Sequence, residues 1–387
     1  MNKILMLLDH EFPPDIRVEN EIEALSEAGH EIHLACYTMK GRAKREQDGN
    51  LTIHRKPIGK FIYKSSVGAL KFPFYFNFWR SFLQSLFKED SFDALHVHDL
   101  PLARVGHEFA DRFHIPLVLD LHENWPALLQ MATHTNSPLG KLLSSTRQWR
   151  KYEMKYCRKA NRIIVVVEEA KERLESLGIE RGKISVVSNT LNIPRFILPE
   201  AKPDADYFTL LYAGGINKHR GLQYVIRGLK YLANLPRPVR LWILGSGSYM
   251  PSLKKLAQEN GVSDRVSFMG WKDFKEMQDF FGEADVCLIP HVKSEHTDTT
   301  IPHKIFQYMY AGKPFVASDC DPIMRIAQET RSGLIYDWNN PEAWADCIRQ
   351  LAENPDLVLQ LARNGKRQVA EKHNWKKDAE TLISIYA

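Results

Sequence analysis

Short apolar runs alternate along the chain with stretches in which apolar positions recur every third or fourth residue. The first pattern predicts strands buried on both faces, the second amphipathic helices. Strands are expected at residues 3–8, 31–36, 94–97, 117–119, 163–167 and 184–187, with helical segments between most of them. The first helix is expected over 18–28, closed by Gly29 as a C-cap. Residues 194–206, with Pro194, Pro199 and Pro203, interrupt the alternation and read as a linker. Strands restart at 209–212, 240–244, 266–269, 286–289, 314–317 and 333–336, each but the last followed by a helical pattern. Such alternation makes parallel sheets covered by helices. The expected fold class is therefore α/β, as two doubly wound Rossmann-like domains facing across a cleft. Ligands bind such sheets beyond the carboxyl ends of the strands, so the cleft is the expected active site.

The length, 387 residues, suits two such domains rather than one. The opening apolar run is too short for a signal peptide, and no window reaches the length of a membrane-spanning helix. The five cysteines are scattered without a CxxC pair, which suggests neither a zinc site nor a disulfide framework and fits a reducing cytoplasm. The net charge is only +5, but it is unevenly spread. Residues 40–88 carry eleven Lys/Arg against Glu46 and Asp48, and residues 141–162 carry eight against Glu153. Such local fields attract anionic partners. Phe72, Phe74, Tyr75, Phe76, Phe78, Trp79, Phe82 and Phe87 crowd the first basic stretch. Aromatics among cations suit an anionic membrane surface, while the same spacing also suits the core face of one helix. No nucleic-acid-binding fold is visible, so nucleic acid is not expected as a partner.

Two segments of the second half carry anion chemistry. In the first, a strand ends at Tyr212, Gly214 and Gly215 allow close backbone approach, and Lys218, His219 and Arg220 precede a helix starting near Leu222. Backbone N–H groups and cations in this order suit a diphosphate, although an ordinary strand-to-helix turn reads the same way. In the second, Thr297, Asp298, Thr299 and Thr300 lead into a helix after Pro302, where His303 and Gln307 share a face beside Lys304. Gly245, in the turn Gly245-Ser246-Gly247, is a further donor-site candidate. Asp319-Cys320-Asp321 is formally a DxD, but with Pro322 following it reads as a strand-end turn with helix capping, and no metal is expected.

In the first half, His96-Val97-His98-Asp99 and Asp120-Leu121-His122-Glu123 put imidazoles and carboxylates at strand ends. Such groups hydrogen-bond sugar hydroxyls or stabilise developing charge. Zinc is the rival reading, and it lacks a spaced partner set to complete the shell. In the first loop, Asp15 and Arg17 are candidates for acceptor or phosphate contacts, with helix capping as the alternative for Asp15.

Together these segments resemble the retaining glycosyltransferases of the GT-B fold, group 1 type, over nearly the whole chain. The Gly-His-Glu-Ile-His run of residues 29–33, His96-Val-His-Asp99, Val186-Val-Ser-Asn189, residues 212–222, the helix and Gly-Lys-Pro of residues 304–314, and the Trp375 region carry the likeness. The resemblance implies an acceptor-binding domain at 1–195, a nucleotide-sugar-binding domain at 196–370, and a terminal helix at 371–387 that crosses back to the first. It implies that Arg220 and Lys218 act on the donor phosphates and that His122 lies beside the transferred sugar. It places Gly214, Gly215, Gly245, Thr299, His303, Lys304 and Gln307 at the donor, and Asp15, Arg17, His98 and Glu123 at the acceptor. The family has two glutamates eight positions apart where Thr299 and Gln307 stand here. Its phosphate-site arginine is Gly215 here, and the Gly-Gly of its first loop is absent.

The expected function is transfer of a sugar, with retention, from a nucleoside diphosphate to a glycan or lipid-linked acceptor in surface polysaccharide or glycoconjugate synthesis. No metal or other cofactor is expected. The location implied is the cytoplasm, peripheral to the inner face of the cell membrane. An inactive partner of an active transferase, or a sugar-nucleotide epimerase, remain alternatives.

Overall fold

The structure, a computed structural model, describes residues 1–131, 144–198, 200, 204–233 and 235–387. Its contacts divide the chain into two units. The first comprises Met1–Ser188 and Lys376–Ala387, the second Asn189–Trp375.

The first unit is built on strands β1 (Lys3–Leu8), β2 (Glu31–Thr38), β3 (Arg45–Asp48), β4 (Leu51–Pro57), β5 (Ala94–His98), β6 (Leu117–Leu121), β7 (Arg162–Val165) and β8 (Ile184–Val186). They form a sheet in the order β3-β4-β2-β1-β5-β6-β7-β8, parallel except for β3 against β4. Residues Ile4 to Leu8 of β1 are all buried, as a central strand covered on both faces requires. The helix Ile16–Glu27 follows β1; Asp15 caps it by accepting from the Val18 N–H at 3.0 Å, and Gly29 leaves it at φ 89°.

Two strands were not expected from the sequence. Residues 45–57 contain no apolar run, because β3 is wholly exposed and β4 buries Thr52, His54 and Arg55 alongside Ile53. The hairpin turn Asp48-Gly49-Asn50, with Gly49 at φ 54°, was the signal available. The aromatic helix, Phe74–Glu89, divides the two readings of its rings. Tyr75, Phe76, Trp79 and Phe82 are core, whereas Phe72 and Phe74 are exposed.

The second unit has strands β9 (Phe208–Ala213), β10 (Val239–Leu244), β11 (Val266–Gly270), β12 (Val286–Ile289), β13 (Phe315–Ser318) and β14 (Gly333–Tyr336). They run parallel in the order β11-β10-β9-β12-β13-β14. The last strand too is followed by a helix, Pro341–Glu353, contrary to the sequence pattern; its buried Trp344 closes this unit's core. The expected linker holds a short turn at Ile193–Arg195, while its Pro199 and Pro203 lie outside the described residues, as does Lys141 of the second basic stretch.

The unit boundaries fall seven residues earlier and five later than the 195 and 370 expected, for local reasons. Asn189 Nδ2 donates to the Ile301 carbonyl at 3.0 Å and Leu191 bridges Asn374, which holds this segment to the second unit. Beyond it, Asp378 accepts from the Ser188 N–H at 3.0 Å, and Asn2 Nδ2 donates to the Tyr386 carbonyl at 3.0 Å, so the terminal segment belongs to the first. No helix among the described residues is long and apolar enough to cross a membrane. All five cysteines are free thiols.

Candidate functional site

Each unit gathers polar side chains at the carboxyl ends of its central strands. In the second unit, β9 ends at Ala213 and runs into Gly214 (φ 147°), Gly215 and the turn Lys218–Arg220. Two glycines there admit no side chain. A Cβ on Gly221 would fall 1.5 Å from the Pro290 carbonyl oxygen, and one on Gly245 1.9 Å from that of Gly214. The turns after β9, β10 and β12 are thereby pressed together.

Cations converge on this junction. Arg220 Nη1 donates to His291 Nε2 at 3.1 Å, while its buried Nε has no hydrogen-bond partner. Lys304 Nζ donates to the Ala213 carbonyl at 3.3 Å and sits 4.1 Å from the centre of the Tyr212 ring. Among the described residues, neither Arg220 nor Lys304 forms an ion pair with a carboxylate. Burial, then the Arg220 charge, pushes the Lys304 ammonium and the His291 imidazole well below their ordinary values. The same causes lower His219 and His296 to about 4 each. A guanidinium without a carboxylate partner, ringed by basic groups that burial holds short of protonation, forms an anion site.

Beside it lies a cavity of about 330 Å³ lined by Gly214, Gly215, Gly245, Ser246, Trp271 and Met277, among others. The Trp271 indole is 72% exposed, an uncommon position for so large an apolar ring. Gln307 is buried on the helix Lys304–Tyr310, and His303, half-buried, is that helix's N-cap residue. The Thr299 hydroxyl donates to the Glu295 carbonyl at 2.7 Å within its own turn. Lys218 is exposed, outside the buried cluster. Asp319 and Asp321 do not cap the helix Asp321–Thr330 as expected. Asp319 instead accepts from the Trp338 N–H at 3.0 Å, and Asp321, inside the first helical turn, pairs with Lys293.

In the first unit the charges are compensated. Asp120, at the end of β6, accepts from Arg17 Nη2 at 2.8 Å and lies 2.8 Å from His122 Nε2. Arg17 also lies 3.0 Å from Glu21 and donates to the Val187 carbonyl at 3.0 Å. Its guanidinium is only 4% exposed, so these partners hold it as a buried strut. His98 is likewise wholly buried, 3.3 Å from His122, and burial with neighbouring His96 lowers it to about 3. Burial opposes a charge on His122, but Asp120 and then Asp99 override it and raise the imidazole to about 10. Asp99 accepts from the His122 N–H at 3.2 Å from a strained backbone, φ 63° and ψ 160°. Burial and Asp120 drive the Glu21 carboxyl well above its ordinary value. Glu123 is half-buried, next to His122. Asp15, besides capping its helix, lies 3.0 Å from His10.

The partner set missing for zinc in the sequence does assemble in space: donor atoms of Glu21, His96, His98 and Asp120 lie within 4.8 Å of one another. Arg17, however, already sits against both carboxylates and supplies the positive charge. Sequence reasoning missed Glu21, His291 and Trp271 as contributors. His291 and Trp271 each stand just past a strand end, which was the usable signal.

Two α/β units with parallel, Rossmann-like sheets, and polar centres at the strand ends, define the GT-B class of glycosyltransferases. Known structures agree. Over all of this chain, sucrose-phosphate synthase from Thermosynechococcus elongatus superposes with a TM-score of 0.81 at 17% identity, covering 98% of that chain. Anabaena HepE, solved with UDP and glucose, gives 0.75 at 15% identity, over all of this chain and 99% of that one. Residues 16–195 match the family described as Glycosyltransferase Family 4, and residues 207–354 match Glycosyl transferases group 1. The two matches together take in most of the chain, and with the structural neighbours they support a GT-B glycosyltransferase of the group 1 type. A D-inositol 3-phosphate glycosyltransferase of Streptomyces avermitilis is 27% identical over 76% of this chain, and the match spans 65% of that relative's length.

Proposed function

We propose that this protein transfers a sugar from a nucleoside diphosphate sugar to a glycan or lipid-linked acceptor, with retention at the anomeric carbon. The observation that carries the reading is the uncompensated Arg220–Lys304 cluster with its orphaned Arg220 Nε. A diphosphate supplies the missing negative charge, and the Trp271 cavity takes the nucleoside. In the reaction the bond from the anomeric carbon to the diphosphate oxygen breaks as the bond to the acceptor oxygen forms on the same face. The acceptor proton passes to the leaving diphosphate. Arg220 and Lys304 stabilise the charge that develops there, with Lys218 as a further cation, so the reaction needs no metal. His122, held as an imidazolium with one exposed edge, is assigned to the transferred sugar. UDP and glucose occupy the Anabaena structure, which favours a uridine nucleotide here. The work belongs to surface glycan or glycoconjugate synthesis at the inner face of the cell membrane.

The test is a thermal-shift panel of UDP, GDP, dTDP, ADP and their sugars. A ligand at about 100 times its Kd adds about 2.7 kcal/mol of apparent stability. One nucleotide should raise Tm by several degrees; no shift with any of them would sink the donor site. NMR of the product then reads the anomeric configuration, and an inverted product would overturn retention. Nucleotide binding without turnover would point to a binding subunit, the reading that Thr299 and Gln307 would favour.

A further inference from the structure

The first unit carries an aromatic surface that the transfer chemistry does not use. The short helix Lys60–Ser65, the segment 71–73 and the start of the helix Phe74–Glu89 bring Phe61, Phe72 and Phe74 together. Their ring centres are 5.5 Å apart for Phe61 and Phe74, and 6.2 Å for Phe72 and Phe74. The three rings are 67%, 47% and 44% exposed. Phenylalanine that open to water, in contact with its own kind, signals an unfilled contact. The patch is rigidly based, since Ile62 and Tyr75, its sequence neighbours, pack on the core.

Charge identifies what covers it. Lys60, Lys64 and Lys71 are exposed and adjoin the rings in sequence, and no aspartate or glutamate occurs between Asp48 and Glu89. Lys60 and Lys64 make no ion pair among the described residues. Phenyl rings offer no hydrogen bonds with which to select a protein sequence. They do fit the boundary between acyl chains and headgroups, with lysine ammonium groups reaching the phosphates.

We infer that Phe61, Phe72 and Phe74, with Lys60, Lys64 and Lys71, form a docking surface for an anionic lipid bilayer. This rests on the proposed lipid-linked acceptor, which such docking would bring within reach. The rings insert at the interface and the lysines hold the headgroups. Each lysine should contribute roughly fivefold to partitioning, so the three together contribute on the order of a hundredfold at low salt.

Flotation of the full chain with vesicles of phosphatidylcholine alone, or with about one third phosphatidylglycerol, tests this at low and high salt. The expected result is binding to anionic vesicles at low salt that weakens with salt and is slight on neutral ones. The triple variants F61S/F72S/F74S and K60Q/K64Q/K71Q should each lose at least about tenfold in partitioning. Both should keep the wild-type Tm and nucleotide shift, because every altered side chain is on the surface. Wild type that fails to float while keeping its nucleotide shift overturns the docking surface and leaves the transferase reading standing. Variants that float like wild type also overturn it. So does a wild-type dimer that the phenylalanine variant abolishes, since a second copy would then be the occupant.

Discussion

The two polar centres handle charge in opposite ways. In the first unit, Asp120 is held by Arg17 and His122 at 2.8 Å each, and Arg17 also lies 3.0 Å from Glu21. In the second, neither Arg220 nor Lys304 pairs with a carboxylate among the described residues, and Lys304, His219 and His291 are held below their ordinary values. A closed ion network fixes the position of its members, here His122 above all. An open cluster of basic groups held short of protonation gains its charge partner, and its protons, only from a ligand of the other sign. The first centre is therefore preorganised by its own side chains, and the second is completed by substrate.

The largest effect should come from opening the closed network. Arg17→Met leaves Asp120 and Glu21 buried with His122 as their remaining cation and should cost roughly 3–5 kcal/mol, read as a fall in Tm or in the denaturant midpoint. A loss under about 1 kcal/mol would show that the network is not the strut described. Next, Arg220→Ala in the open cluster should weaken donor binding by roughly ten- to a hundredfold by calorimetry while leaving Tm unchanged or slightly higher, since removing one uncompensated cation relieves the others. A clear drop in Tm with donor affinity intact would reverse the comparison.

The smallest effect is in pH, where the centres should diverge. His122 is raised from 6.5 to about 10 in the folded chain, so its stabilisation is complete below about 6.5 and is lost as pH rises through about 10. Lys304 is depressed in the free protein and regains its proton beside a diphosphate. Nucleotide binding should therefore take up protons, and affinity should fall as pH rises from the free-state towards the bound-state value. Calorimetry in buffers of differing ionisation enthalpy reads the uptake. Proton release on binding would argue against Lys304 at the phosphates.

Much of the fold was legible because a strand buried on both faces has to be continuously apolar. The runs at β1, β9 and β12 could be placed by composition alone. The β3–β4 hairpin could not, since β4 buries Thr52 and His54 on one face and Arg55 on the other, and the Arg55 burial depends on carbonyls distant in sequence. The sequence marked the glycines after β9 as a candidate phosphate turn and Gly245 as a further donor-site candidate. That Gly221 and Gly245 press against Pro290 and Gly214 was not, because the contact joins separate strand ends. Among the donor-site candidates, Lys304 lies in the cluster with Arg220, while Lys218 stands exposed outside it.

The sequence by itself determined the α/β alternation, the two-unit plan and the segments that carry the family likeness, since these follow from local periodicity and short motifs. Tertiary structure alone decided the sign and state of each charge. Arg17 and Arg220 are both arginines on or beside the first helical turn after a strand. One is neutralised by a carboxylate 103 residues away, and the other faces a histidine 71 residues away. Electrostatic energy depends on distance and burial, and neither is written in the order of residues along the chain.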